Sequence, residues 1–219
     1  MEIQLSDLRE EILKMSSLVE AALKSAARQE STQEEVSQYE DQINSCHTSI
    51  DDHCFKYLAL MRPAATDLRT IIAIMKMNNE LERIGDEIVS ISRHHDLVSS
   101  KGTTELQTMT QEVSKMLRQV MDSFVSQKVK TATRVIQNDH VVNDLNRSVI
   151  QSSFESVKNH NLSVDEGFNL ARVAKSLERI GDHTTNIAED VIFLVSGDDI
   201  RHSPERPRSA NNDNGEKKS

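Results

Sequence analysis

The sequence predicts an all-α protein of six long helices, arranged as two tandem antiparallel three-helix units, and three observations carry that prediction. Composition is the first. Of 219 residues only 3% are aromatic, there is no Trp, and 6 Gly and 3 Pro interrupt a chain rich in good helix formers. With 28% of residues charged, this reads as a helical bundle and not a sandwich or an α/β sheet. Second, apolar residues recur in alternating steps of three and four along most of the chain. Third, the hexapeptide Leu-Glu-Arg-Ile-Gly-Asp occurs twice, at 81–86 and 177–182.

Each helix follows from its own apolar series. The first runs through Leu5, Leu8, Ile12, Met15, Val19, Ala22 and Ala26. The second uses Val36, Tyr39, Ile43, Cys46, Ile50, His53, Tyr57 and Leu60. Ser31-Thr32 supplies its cap, with Glu34 and Glu35 in the favourable first turn. The third uses Ile74, Met77, Leu81, Ile84, Ile88 and Ile91, and Pro63 suits its start. Gly102-Thr103-Thr104 separates it from the fourth, which uses Leu106, Met109, Val113, Met116 and Val120; Thr103 or Thr104 would cap it. The fifth uses Val135, Val142, Leu145 and Val149, and ends at Asn159-His160-Asn161. The sixth uses Leu170, Val173, Leu177, Ile180, Thr184, Ile187, Val191 and Leu194. Ser163 with Glu166 forms a capping box for it, and Gly197 ends it. Long helices joined by short loops pack as antiparallel neighbours, and a step near 3.5 residues implies left-handed crossings.

The sequence at 198–219 loses the periodicity and reads as a largely disordered C-terminal tail. Its five acids balance five Lys and Arg, so the net charge of −9 belongs to the helical body. An acidic body argues against nucleic-acid binding and against docking on an anionic membrane. No apolar run reaches membrane-spanning length and no signal peptide is visible, so a cytoplasmic location is expected. Cys46 and Cys54 stand too far apart on one helix for an easy disulfide.

The hexapeptide repeat aligns the third and sixth helices at an offset of 96 residues. A weaker match at an offset of 99 places Glu40, Ile43, Asn44 and Ile50 over Asp139, Val142, Asn143 and Val149. The chain is therefore two copies of one unit, 1–97 and 98–197. Within the hexapeptide, Leu and Ile face the core, while Glu and Asp stack one turn apart on one face. That pair costs a few tenths of a kcal/mol, and a mid-helix Gly costs about 1 kcal/mol relative to Ala. Both costs recur at matching positions while the surroundings diverge. A bound cation would offset the carboxylate repulsion, and the glycine would admit a neighbouring helix or ligand. The plainer reading is a solvated flank with Arg83 and Arg179 as ion-pair partners. Glu40 with Asn44 and Asp139 with Asn143 place further oxygens within reach from a second helix, suiting Mg, Mn, Fe or Zn. His183 and Glu189 lie near the second motif and His47 near the first, each more simply an ordinary surface residue.

At these residues the sequence resembles a known family. Leu81–Asp86, and Ser176-Leu-Glu-Arg-Ile-Gly-Asp-His-Thr-Thr-Asn-Ile-Ala-Glu189, are similar to the twin signatures of the PhoU phosphate-uptake regulators. Arg62-Pro-Ala-Ala-Thr-Asp-Leu-Arg69 and the stretch from Val191 to His202 resemble the same family, and the resemblance spans about residues 3–202. It implies two three-helix bundles related by a pseudo-twofold axis, commonly as a homodimer, with E/DxxxD motifs that hold multinuclear iron or zinc. By position those motifs are Glu82/Asp86 and Glu178/Asp182, with the second pair at Glu40/Asn44 and Asp139/Asn143. Here the last residue of the second pair is Asn, which keeps an oxygen but loses the charge; Asp144 stands beside it. The resemblance further implies a regulator that couples the ATPase subunit of a phosphate ABC importer to a sensor histidine kinase, restraining uptake and the starvation response.

Other readings stay open on the sequence. There is no Gly-rich phosphate loop, GxSxG or HExxH, so no enzyme is expected. A carboxylate-bridged metalloenzyme on a bundle would use Glu-x-x-His, which does not occur. A metal-free helical scaffold would need none of the acids.

Overall fold

A computed structural model describes residues 4–28, 32–95, 103–198 and 200. Among them the chain forms six α-helices: α1 (Leu5–Ala26), α2 (Gln33–Met61), α3 (Ala65–His95), α4 (Thr103–Ser126), α5 (Val129–Lys158) and α6 (Val164–Ser196). None is long and apolar enough to cross a membrane. The join between the two copies and the tail beyond Ile200 lie outside the described residues, as do the Ser31 half of the expected α2 cap and Gly102.

The ends are set by local chemistry. Thr32 accepts a hydrogen bond from the Glu35 amide at 3.1 Å and starts α2. Ser163 and Glu166 complete a reciprocal capping box on α6. The α5 helix stops at Asn159, and Gly197 closes α6 in the left-handed region at φ 85°. Pro63 lies in the break before α3, which begins two residues later, and Thr103 is already helical. Both cysteines are free thiols.

Helices α1, α2 and α3 pack on one another, and so do α4, α5 and α6. The expected core positions largely hold: Leu81, Ile84, Leu177 and Ile180 are fully or almost fully buried. Leu60 departs from the series and is 77% exposed. It sits in the last turn of α2, where Arg62 turns the chain at φ 46°.

The two sets meet along α3 and α6, whose contact is nearly as extensive as that between α5 and α6. Contacts that step up α3 step down α6, so the two helices cross antiparallel. Glu80 reaches His183 and Asn186, whereas Ser90 reaches Ser176. This crossing positions the two hexapeptides and exchanges one copy with the other.

Candidate functional site

The glycines of the repeat are close-approach residues. A Cβ on Gly85 would lie 3.3 Å from Ile43 Cγ2 of α2. A Cβ on Gly181 would lie 3.2 Å from Asp139 Oδ1 and 3.5 Å from Val142 Cγ1 of α5. Both Gly positions therefore admit a neighbouring helix, as the sequence reading requires of them. What approaches differs. Beside Gly85 the three nearest atoms all belong to Ile43, whereas beside Gly181 a carboxylate oxygen has moved in.

The second bundle thus gathers three acids. Glu178 and Asp182 stack on α6, and Asp139 comes from α5. Asp182 is exposed to solvent, yet desolvation by its surroundings, followed by the carboxylates of Glu178 and Asp139, pushes its acid up to about 6. Asn143 Nδ2 donates to Asp139 Oδ2 at 2.7 Å, and Lys175 donates to Glu178. Asn143 is therefore a clamp on Asp139. Asp144 pairs with Arg147 on the exposed flank. In the first bundle Glu40 and Glu82 are half-buried while Asn44 and Asp86 are exposed. Among the described residues no three His, Cys, Asp or Glu side chains converge closely enough to hold a metal ion.

A model of a protein family, the PhoU domain, matches this sequence twice, at residues 5–94 and 106–191. The chain belongs to the PhoU family. Among its relatives, the phosphate-specific transport system accessory protein PhoU homolog of Pseudomonas aeruginosa is 34% identical over 209 residues, covering 91% of this chain and 86% of that one. The crystal structure of PhoU from Pseudomonas aeruginosa superposes with a TM-score of 0.83, covering 89% of this chain and 98% of that one at 34% identity. That of the phosphate transport system regulatory protein PhoU from Streptococcus pneumoniae gives a TM-score of 0.80 at 24% identity, covering 89% and 96% respectively.

In this PhoU-family chain the polar seam between α3 and α6 is the part the sequence did not announce. His183 Nδ1 lies 2.8 Å from Glu80 Oε2, and Asn186 Nδ2 donates to the same oxygen at 3.0 Å. Burial opposes ionisation of Glu80, but the hydrogen bonds from His183 and Asn186 outweigh it and hold the carboxyl below its ordinary range. Arg179 reaches Glu87 at 3.0 Å and not its neighbours in the motif. Lys76 lies 3.8 Å from Asp190, which is 1% exposed, and 4.8 Å from the Phe193 ring centre. Glu189 is buried as well. His183 is thus a half-buried member of the helix seam and Glu189 a buried one.

The PhoU-family surface also carries apolar residues that the core does not use. Phe154 (72% exposed), Phe168, Val164 and Ile150 stand out near the α5–α6 turn. Phe55, Leu60 and Leu68 do so near the α2–α3 turn. The offset of 99 that aligns α2 with α5 places Phe55 over Phe154, so an exposed aromatic recurs in both copies.

Proposed function

We propose that this chain is a non-enzymatic regulator of phosphate uptake. It works in the cytoplasm by docking to the ATPase subunit of a phosphate ABC importer and to a sensor histidine kinase, restraining both uptake and the starvation response. The observation that carries this reading is the double PhoU-domain match across the helical body, together with relatives named accessory proteins of a phosphate-specific transport system. The exposed Phe55 and Phe154 regions support docking, because paired apolar patches on an otherwise charged surface favour protein partners. Homodimer formation is part of the same proposal.

A metal belongs to the proposal in a limited form. Glu178 and Asp139 both act against the charge on Asp182, and a cation would relieve that once Lys175 released Glu178 and the side chains rotated inward, since as they stand they do not converge on one ion. Oxygen donors suit iron, zinc, Mn or Mg there. Glu82 and Asp86 with Glu40 and Asn44 would form the first-bundle counterpart, with one charge fewer on α2 than an Asp would supply.

The test is genetic and biochemical. Deleting the gene should switch on a phosphate-starvation reporter in phosphate-replete medium, and the purified chain should retain the importer ATPase subunit in a pull-down. A reporter that stays silent, with no capture of the ATPase, would sink the reading. Phosphatase or ATPase turnover by the pure chain, lost on Glu178→Ala, would reverse the non-enzymatic part.

A further inference from the structure

Between α2 and α3, one to two turns from the Gly85 contact, three donor atoms face one another outside the repeated motif. His47 Nε2 lies 3.2 Å from Asn79 Oδ1 and 4.0 Å from Asp51 Oδ2. Two donors bound to one first-row divalent ion at about 2.0–2.2 Å stand roughly 3–3.5 Å apart. The His47–Asn79 pair already has that spacing, and a small rotation of Asp51 would give it to the third atom.

The atoms are also held as metal ligands are held. Asn78 Nδ2 donates to Asp51 Oδ1 at 3.0 Å, which leaves Oδ2 turned to His47. The same amide donates to the His47 backbone oxygen at 3.0 Å. Asn79 Nδ2 donates to the Met75 oxygen at 3.0 Å, which fixes the carbonyl end toward the imidazole. Asn78 is fully buried and its own Oδ1 has no hydrogen-bond partner. A buried amide that leaves an oxygen unsatisfied while orienting a carboxylate costs stability, and such outer partners are characteristic of metal sites. His47 and Asp51 keep about a quarter to a third of their side-chain surface exposed, so an ion can enter.

The second copy lacks all of this. The offsets that align the helices put Asn146 under His47, Ile150 under Asp51 and Lys175 under Asn79. The cluster is therefore a property of the first bundle alone and not a trace of duplication.

We propose that His47, Asp51 and Asn79 bind a single divalent transition-metal ion. One imidazole nitrogen, one carboxylate and one amide oxygen, with water completing the shell, best match zinc among the common ions. This site uses none of the Glu-x-x-x-Asp residues, although it lies one turn along α2 and α3 from Asn44 and Glu82, and it does not depend on the proposed regulatory role.

Calorimetric titration of the full chain with zinc chloride tests it, with cobalt(II) absorption as a second readout. A variant with Glu82, Asp86, Glu178 and Asp182 changed to their amides should keep one equivalent of zinc. Adding His47→Gln or Asp51→Asn should weaken that equivalent at least tenfold. In the unmodified background each of these two single changes should remove one equivalent, which covers the case in which the fourfold variant does not fold. Zinc binding unaltered by both His47→Gln and Asp51→Asn would overturn the proposal, as would a folded fourfold variant that takes up no zinc.

Discussion

Replacing Asp182 with Asn should stabilise this protein near neutral pH, and the size and pH range of the gain follow from the site. Burial and the neighbouring Glu178 and Asp139 raise this acid from 3.8 to about 6. A raised acid binds its proton more tightly in the folded than in the unfolded chain. Its favourable contribution is therefore complete below about pH 4 and is lost as pH rises through about 6. At pH 7 the ionised carboxylate is a liability. Two units correspond to about 3 kcal/mol without screening, and the solvent exposure of Asp182 reduces this to about 1 kcal/mol or less. The amide removes the charge and keeps the shape. The backbone oxygen that accepts from Thr185 at 2.7 Å is untouched. In chelator, to exclude cations, Asp182→Asn should melt roughly 2–4 °C above the parent at pH 7 and level with it near pH 4. Glu178→Gln in the parent should close part of the gap by removing the larger of the two carboxylate repulsions. Thermal melts followed by helical circular dichroism across that range read the result. A variant that is no more stable at pH 7, or one whose advantage persists unchanged at pH 4, would refute the reasoning.

Three further outcomes are expected. Gly181→Ala should cost about 1–2 kcal/mol because the new methyl must displace Asp139, whereas Gly85→Ala should lie within about 0.5 kcal/mol of neutral, since gained helix propensity offsets a small shift of Ile43; urea unfolding ranks them, and the reverse order would be fatal to the argument. Glu80→Ala should cost about 1–3 kcal/mol at pH 7 by stranding His183 and Asn186. Since the Glu80 acid is depressed, that cost should shrink as pH falls through its folded value, and a penalty flat with pH would contradict it. Gly197→Ala should lower the melting temperature through about 1–2 kcal/mol of backbone strain at φ 85°, compounded by the Arg69 guanidinium 3.1 Å from the added carbon; an unchanged melt would show that the turn relaxes freely.

Much of the fold was legible because it rests on local rules. The apolar series located the core face of each helix, and Ser163, Glu166, Asn159 and Gly197 marked ends that do not depend on distant contacts. Leu60 misled because its spacing continues the α2 pattern past the point where a neighbouring helix covers it. The candidate site was half legible. Repetition singled out Glu82, Asp86, Glu178 and Asp182, and the fold brings Glu178 and Asp182 together with Asp139. It could not reveal that Ile43 fills the place in the first bundle that Asp139 shares in the second. Nor could it reveal the α3–α6 seam. Glu80 and His183 are 103 residues apart, and each looks like a solvated helix residue until the two copies are docked. The recurrence of Phe55 at Phe154 is legible at the offset of 99, but only the fold shows that both rings face solvent.

The seam also determines which halves can recognise each other. By the repeat offset, the first-copy counterpart of His183 is Glu87 and that of Asn186 is Ser90. If two first bundles from different chains paired in the same geometry, Glu80 would meet Glu87, an acid facing an acid, with no imidazole between them. If two second bundles paired, Arg179 would meet His183 in place of Glu87. Each like-with-like assembly forfeits attractive pairs and gains a repulsive or unmatched one, which favours the unlike pairing already tethered within one chain. The two copies have diverged at this seam into complementary, non-identical faces.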